Sequence, residues 1–181
     1  MRALVLNSVG DAPVLSEAER AVREPDNGHV IVRVSAAGFC HHDALIMAGV
    51  LRRGVRLPLV LGHEACGTVE RLGQGVAEDW LGARVTLVPG SLGHVVDGCF
   101  AELVRVPVAS LVRVTSGISD EAAAALACPA GVAIKAVEQV GGVRPDDVVA
   151  VTGVSGGLGA MAAQVAHAAG AMVIGVTSSA A

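Results

Sequence analysis

Residues 148–176 read VVAVTGVSGGLGAMAAQVAHAAGAMVIGV, with two short apolar runs on either side of a glycine-rich turn and a helix-like segment. Val148–Thr152 and Met172–Val176 have the length and composition of buried strands, and residues 158–169 repeat apolar side chains at helical spacing. A strand, a glycine turn, a helix and a second strand form one β-α-β unit. The sequence therefore predicts an α/β segment in this part of the chain.

The glycine turn, VTGVSGGLG over residues 151–159, has the composition of a dinucleotide-binding turn. Glycines let the backbone approach a pyrophosphate, and the first N–H groups of the following helix then face the anion. Val154 stands where the strict G-x-G-x-x-G pattern has its first glycine, so a simple tight turn is the alternative. The position directly after a strand and before a helix favours dinucleotide binding.

The end of the second strand bears on the choice of coenzyme. An acidic residue there would hold a ribose 2′-hydroxyl, but the chain has Thr177, Ser178 and Ser179. These neutral hydroxyls favour a 2′-phosphate, so NADP(H) is predicted over NAD(H).

A membrane-spanning segment is the alternative interpretation of this stretch, because Asp147 is the last charged residue of the chain. Spanning helices need about 20 consecutive apolar residues. Gly153, Gly156, Gly157 and Gly159 interrupt the run, and Gln164 and His167 lie inside it. Buried parallel strands are equally apolar, so we expect no membrane association.

The preceding residues divide into a β-rich part and a helical part. Short strand-like runs separated by turn residues predict a compact, mostly antiparallel β domain; they cover residues 2–6, 30–36, 68–72, 84–88 and 103–106. Ser119 is a predicted N-cap for a helix over residues 122–127. Pro129 is predicted to begin a second helix, which ends at Gly141.

Composition excludes several classes of protein. The chain has 181 residues, 52% of them hydrophobic and 17% charged, and a net charge of −4, which argues against disorder and against nucleic-acid binding. No basic, apolar leader opens the sequence. We therefore expect a cytoplasmic protein whose four cysteines are thiols or metal ligands.

Potential metal ligands occur in three places. Residues 40–43 read CHHD, residues 62–64 read GHE, and Cys128 lies far along the chain. Zinc accepts thiolate, imidazole and carboxylate ligands. The spacings match no zinc finger, and buried cysteines and histidines are common without a metal, so the residues alone leave the assignment open.

A family resemblance bears on this question. The chain resembles the medium-chain dehydrogenase/reductase superfamily, which includes zinc-dependent alcohol dehydrogenases, quinone oxidoreductases and acryloyl-CoA reductases. The matching stretches are MRALVL, VIVRVSAAGFCHHD, LPLVLGHEACGTVERLGQGV, DGCFAELVRVPVASLVRV, AALACPAGVAIKAV and VTGVSGGLGAMAAQVAHAAGAMVIGVTSS. The resemblance implies a mostly β GroES-like domain over residues 1–122, followed over residues 123–181 by the start of an α/β Rossmann domain.

The resemblance also implies roles for single residues. Cys40, His63 and Cys128 match ligands of a catalytic zinc, and Glu64 matches a carboxylate that can take the exchangeable position. Asp43 matches an acid that orients the ligand histidine, and His41 matches a residue facing the coenzyme pyrophosphate. The coenzyme turn is matched by Gly156, Gly157, Leu158 and Gly159.

Some positions depart from the family. His42 stands in place of a proton-relaying Ser or Thr, so its imidazole could take the substrate proton or could simply fill space. Leu45 replaces a terminal relay His, and Val132 replaces a Thr near the nicotinamide. The cysteine-rich structural-zinc lobe is missing, so at most one zinc is expected. We expect structural roles for Cys66, Cys99, His94 and His167.

These expectations lead to one main hypothesis and two alternatives. The main hypothesis is a zinc-dependent NADP(H) oxidoreductase that acts on an alcohol or carbonyl, with His42, Asp43 and Glu64 beside the metal. The first alternative is a zinc-independent enoyl or quinone reductase. The second is a non-catalytic module that binds zinc or a protein partner. The resemblance covers only about half the family's length, so this chain alone is expected to bind NADP(H) poorly. Its exposed apolar surface makes a homo-oligomer an open possibility.

Overall fold

A computed structural model describes residues 1–178. The chain divides into two compact units; the first is Met1–Ala127 and the second begins at Cys128. The sequence-based boundary lies five residues earlier, after residue 122. Ser179, one of the hydroxyl residues in the predicted coenzyme segment, lies outside the described residues.

The first unit contains two antiparallel sheets. Its strands are β1 (Arg2–Ser8), β2 (Val14–Glu19), β3 (His29–Gly38), β4 (Leu59–Val60), β5 (Glu64–Leu72), β6 (Arg84–Leu87), β7 (Leu103–Pro107) and β8 (Leu111–Arg113). The smaller sheet has the order β2-β1-β4, and the larger has the order β7-β3-β5-β6-β8. This arrangement confirms the mostly antiparallel β domain that the sequence predicts. The sequence did not predict β2, β4 or β8, because β2 is almost wholly exposed and the other two are very short.

The core of the first unit is built on the larger sheet. Valines at alternate positions of neighbouring strands are buried together, among them Val30, Val32, Val69, Val85 and Val106. Each buried side chain of this size stabilises the fold by about 1.5–3 kcal/mol. Arg33 points away from this core and pairs with Glu70 at 2.5 Å, as the alternation of β3 predicts.

Helix α1 (His41–Met47) follows β3 directly, and helix α2 (Asp120–Ile134) follows the last strand of the first unit. Ser119 accepts a hydrogen bond from the N–H of Ala122 at 3.2 Å, which confirms the predicted start of α2. The prediction of a new helix at Pro129 is wrong, because α2 is continuous through that residue. Proline removes one N–H donor to the residue four positions earlier, and that residue, Ala125, is exposed, where water can replace the donor.

The helix widens into a π-helical segment, Lys135–Val140, and ends at Gly141 and Gly142 as predicted. Within the described residues, the helical span Asp120–Val140 is long and apolar enough to cross a membrane by length and composition alone. Core helices of soluble proteins meet the same criterion.

The second unit contains the predicted β-α-β unit. It consists of β9 (Val148–Thr152), α3 (Gly157–Ala168) and β10 (Met172–Val176), and the two strands pair in parallel. Helix α3 has 12 residues and is about 18 Å long, too short for a hydrocarbon layer of about 30 Å. The uncharged stretch is therefore divided among a strand, a turn, a helix and a strand.

Candidate functional site

The pairing of β3 with β5 brings two distant segments of the sequence together. Gly38, the last residue of β3, pairs with Glu64, the first residue of β5. Cys40 follows β3 by two residues, and His63 immediately precedes β5. The sheet register therefore places the CHHD and GHE segments beside each other at one end of the strands.

Cys40 is held by the start of helix α1. It is the N-cap residue: its Sγ accepts from the N–H of Asp43, and its own N–H donates to Oδ2 of Asp43 at 3.0 Å. The N–H of His42 also donates to Sγ of Cys40, at 3.2 Å. The reciprocal pair between Cys40 and Asp43 is a capping box in which a thiol replaces the usual hydroxyl. The local sequence C-x-x-D thus fixes where the thiol points.

His63 lies between Cys40 and Asp43. Its Nε2 is 3.3 Å from Sγ of Cys40, and its Nδ1 is 3.4 Å from Oδ1 of Asp43, a contact longer than an ordinary hydrogen bond. Asp43 is fully buried and also accepts from the N–H of Gly62 at 3.3 Å. A carboxylate behind the imidazole favours a proton on Nδ1 and a lone pair on Nε2, toward Cys40.

The electrostatics keep Asp43 ionised and Cys40 protonated in the metal-free chain. Burial alone would raise the pKa of Asp43, but its contact with His63 and the N–H donors of Cys40 and Gly62 lower that pKa below its ordinary value. Burial raises the pKa of the Cys40 thiol, which two backbone N–H groups partly offset. A metal that binds Cys40 therefore has to displace a proton.

Helix α2 carries the third candidate ligand, Cys128. Ala123 and Ala124 in its first turns are buried against Cys66 of β5, and Cys128 lies one turn further along the same helix. Cys40, His63 and Cys128 each offer one ligand atom, and these three atoms all lie within 4.8 Å of one another. No other such group of histidine, cysteine or carboxylate ligands is present among residues 1–178.

This donor set fits zinc. A tetrahedral ion with bonds of ~2.3 Å to sulfur and ~2.0 Å to nitrogen keeps those donors roughly 3.5 Å apart. The observed 3.3 Å between Cys40 Sγ and His63 Nε2 is close to that separation. Zinc sites with one exchangeable position use two thiols and one imidazole as ligands, with a carboxylate behind the imidazole, and Asp43 is that carboxylate here.

Glu64 lies outside the group of three. Its side chain is buried next to His63, against Gly38, where any Cβ would collide with the carboxylate. The glycine at residue 38 therefore makes room for this carboxylate. Its predicted role as an exchangeable ligand stays a prediction.

A second histidine pair lies beside the ligands. The ring centroid of His42 is 4.9 Å from that of His63, and Nε2 of His42 is 3.2 Å from Nδ1 of His94. Burial lowers the pKa of His42, and the neighbouring histidines lower it further. From the sequence we expect only a structural role for His94. The one sequence feature that marks its loop as tightly packed is the glycine at each end, Gly93 and Gly98.

The predicted coenzyme residues lie at the start of α3 and the end of β10. Gly156 is the N-cap of α3, and no side chain of residues 1–178 caps the helix N-terminus, so the first N–H groups there can bind an anion. Any Cβ on Gly159 would collide with the backbone of Gly153, which shows why the helix needs glycine there.

The other predicted coenzyme residues lie at the surface. Leu158 and Ser178 are exposed, and Ser155 hydrogen-bonds to Thr177 at 3.2 Å. His41, the first residue of α1, is exposed.

Comparison with known proteins identifies the family. The model for the alcohol dehydrogenase GroES-like domain matches residues 26–116. The chain belongs to the medium-chain dehydrogenase/reductase superfamily. An acryloyl-coenzyme A reductase from Sulfurisphaera tokodaii is 37% identical over 86% of this chain and 53% of its own length. An alcohol dehydrogenase from Geobacillus stearothermophilus is 33% identical over 97% of this chain and 57% of its own length.

Solved structures of the superfamily agree with the fold. An NAD-dependent alcohol dehydrogenase superposes with a TM-score of 0.93 at 32% identity, over 99% of this chain and 58% of that chain. A mycobacterial protein complexed with NADPH superposes with a TM-score of 0.87 at 28% identity, over 99% of this chain and 54% of that chain. The chain thus spans about half the length of the relatives that it matches.

The structure also places the residues in which this member of the superfamily differs. Cys99 is buried and donates to the carbonyl of Glu64 at 3.4 Å, and burial raises its pKa to about 12. Cys66 donates to Asp120 at 3.4 Å, and burial raises its pKa to about 11. Both thiols are protonated and engaged in packing contacts, in accord with structural roles. Leu45 is half-buried in α1, and Val132 is exposed on α2.

Proposed function

We propose that the chain is the zinc-binding, coenzyme-contacting part of an NADP(H) oxidoreductase that transfers hydride between the coenzyme and an alcohol or carbonyl. The observation that carries this proposal is the group formed by Cys40, His63 and Cys128, with buried Asp43 behind His63. Membership of the superfamily supports it, since the relatives include alcohol dehydrogenases.

Zinc, when bound, would supply a Lewis acid that polarises the substrate oxygen. Cys40, His63 and Cys128 would hold it. Asp43 orients His63 and keeps its Nε2 free of a proton, and buried Glu64 places a second carboxyl group next to His63 in the sequence. His42, whose ring contacts that of His63, lies where a group could receive the proton of an alcohol.

The coenzyme would be held by the second unit. The open N–H groups after Gly156 suit a pyrophosphate, and the hydroxyls of Thr177 and Ser178 suit a 2′-phosphate better than an acidic residue would. His41 would face the pyrophosphate, as the family resemblance implies. NADP(H) is therefore proposed over NAD(H), and a cytoplasmic location is proposed with it.

The decisive experiment measures metal and coenzyme on the purified chain. We expect one zinc per chain by elemental analysis, and loss of that zinc on treatment with a chelator. Cys66→Ser serves as the matched control, because Cys66 is a buried thiol outside the group of three. A chain that binds no zinc at micromolar free concentrations contradicts the proposal.

Titration with NADPH and NADH tests the coenzyme assignment. We expect weak binding, with NADPH bound more tightly than NADH, because few of the strands of a doubly wound coenzyme domain are in this chain. Tighter binding of NADH contradicts the NADP(H) assignment.

A zinc-independent enoyl reductase is the second candidate. It is favoured by the 37% identity to an acryloyl-coenzyme A reductase. Activity of a longer form of the protein on an enoyl substrate that survives complete removal of zinc supports this candidate over the first.

A further inference from the structure

His94 is brought to the site by a close approach of two loops. Any Cβ on Gly93 would collide with the backbone of Gly62, and any Cβ on Gly98 would collide with the carbonyls of Gly62 and Leu61. The loop that carries His94 therefore lies flat on the segment that leads into His63. Glycine at both ends of the loop makes this packing possible.

The hydrogen bonds of His94 determine which ring nitrogens of His94 and His42 carry a proton. Nε2 of His94 lies 2.7 Å from the carbonyl oxygen of Arg53, which can only accept, so Nε2 of His94 carries a proton. In a neutral imidazole the other nitrogen then has a lone pair. Nδ1 of His94 lies 3.2 Å from Nε2 of His42, so Nε2 of His42 must be the donor.

This direction determines which atom of His42 remains available. With its proton on Nε2, neutral His42 has its lone pair on Nδ1. Among residues 1–178 the structure gives Nδ1 of His42 no hydrogen-bond partner. The ring of His42 is half-buried beside that of His63, one of the three candidate ligands.

We propose that His94 is a positioning residue that holds His42 as its Nε2–H tautomer, so that Nδ1 of His42 is a hydrogen-bond acceptor for a ligand hydroxyl. An acceptor atom at this place favours an alcohol, which donates, over a ketone, which cannot. The ligand part of this inference rests on the proposed oxidoreductase function; the tautomer part does not.

Nitrogen NMR of the imidazole rings tests the tautomer directly. The chain is labelled with ¹⁵N-histidine and studied without metal at pH 8, where imidazoles of ordinary pKa (about 6.5) are neutral. We expect a single Nε2–H tautomer for His42, loss of that single state in His94→Ala, and its retention in His94→Asn, whose amide oxygen replaces Nδ1 as acceptor. His167→Ala, which removes an exposed histidine of α3, should leave the His42 signals unchanged.

An Nδ1–H tautomer of His42 in the unmodified chain overturns the inference, as does an unaltered tautomer in His94→Ala. If the spectra of His94→Ala and His94→Asn keep the signal dispersion of a folded protein, any change at His42 is local. These outcomes do not depend on zinc, because the chain is studied without metal, and zinc binding is measured in a separate titration. Failure to bind added zinc therefore contradicts the proposed function without deciding the role of His94.

The zinc-loaded chain tests the ligand preference. We expect butan-1-ol to shift the Nδ1 signal of His42 and butanone to leave it unchanged. Equal shifts with both probes, or none with either, overturn the proposed preference for a hydroxyl.

Discussion

Cys40 combines two tasks that can be separated by substitution. Its sulfur caps helix α1 and also lies in the group of candidate metal ligands. Serine is among the best N-cap residues, whereas its hydroxyl is a poor zinc ligand in place of a thiolate. One atom change therefore distinguishes the structural task from the metal-binding task.

We expect Cys40→Ser to keep the stability of the metal-free chain within about 0.5 kcal/mol, because the cap is preserved. Zinc binding should be lost or weakened by at least tenfold. Urea unfolding measures the first quantity, and competition with a chromophoric chelator measures the second. Cys66→Ser is the control and should keep its zinc; a Cys40→Ser chain with unchanged zinc affinity would show that this thiol is not a ligand.

The residue types of the site could be predicted from the sequence, but their arrangement could not. Cys40, His63 and Cys128 are far apart in sequence, and only the family resemblance pointed to them together. The structure adds the reason, which is the β3–β5 register and the start of α2. His94 could not be predicted, because its contact with His42 depends on two loops packing through glycines.

At the scale of elements, the loop of residues 91–98 can pack on Leu61 and Gly62 only because Gly93 and Gly98 have no side chain. Gly98 has no room for a Cβ, whereas Gly90, in the same connection, has nothing within 4 Å of its Cβ position. These two glycines form a natural pair for comparing a tight contact with an open one.

We expect Gly98→Ala to destabilise the first unit by about 1–3 kcal/mol, because the loop must move away from Leu61 and Gly62. Gly90→Ala should change stability by no more than about 0.5 kcal/mol. Chemical denaturation of both variants measures the difference. Equal stabilities would mean that the loop does not pack on this segment as closely as the structure shows.

The start of helix α2 is tied to the larger sheet by an ion pair. Arg84 of β6 donates to Asp120 at 2.7 Å, and Cys66 donates to the same carboxylate oxygen. The hydrogen bond from Arg84, followed by that from Cys66, lowers the pKa of Asp120 below its ordinary value. Because the folded state lowers this pKa, ionised Asp120 stabilises folding above the unfolded pKa of about 3.9 and loses that effect as the pH falls.

We therefore expect Asp120→Asn to lower the unfolding temperature at pH 7, and the difference from the unmodified chain to shrink as the pH falls below about 4. Thermal unfolding from pH 3 to pH 7 measures this. Asp11→Asn is the control, since Asp11 is exposed and makes no ion pair or side-chain hydrogen bond within residues 1–178. A difference independent of pH would contradict the electrostatic explanation.

The elements themselves were predicted unevenly. Both strands and the helix of the β-α-β unit were predicted within one residue, because apolar runs and glycines mark their ends. Helix α2 was divided wrongly at Pro129, since proline usually begins a helix or breaks one. Because Ala125, four residues before Pro129, is exposed, water can replace the missing N–H donor and the helix continues.

At the scale of the whole chain, the second unit leaves much apolar surface open. Val148, Met172, Ile174 and Val176 of its two-stranded sheet are all exposed, Ile174 by 50%. Parallel sheets are usually covered on both faces, and exposed apolar patches promote association. The edges of so short a sheet also have unpaired backbone groups that a second strand can pair with.

We expect the chain of 181 residues to self-associate as its concentration rises, and Ile174→Lys to weaken that association, because a lysine at a strand edge opposes strand pairing. Val50→Lys is the matched control: Val50 is 67% exposed but lies in the first unit, so its substitution should leave association unchanged. Sedimentation velocity over a hundredfold range of concentration, about 1–100 μM, measures the effect at the affinities typical of weak interfaces. If the unmodified chain is monomeric throughout, or if both lysine variants associate equally, the open sheet of the second unit is not the surface responsible.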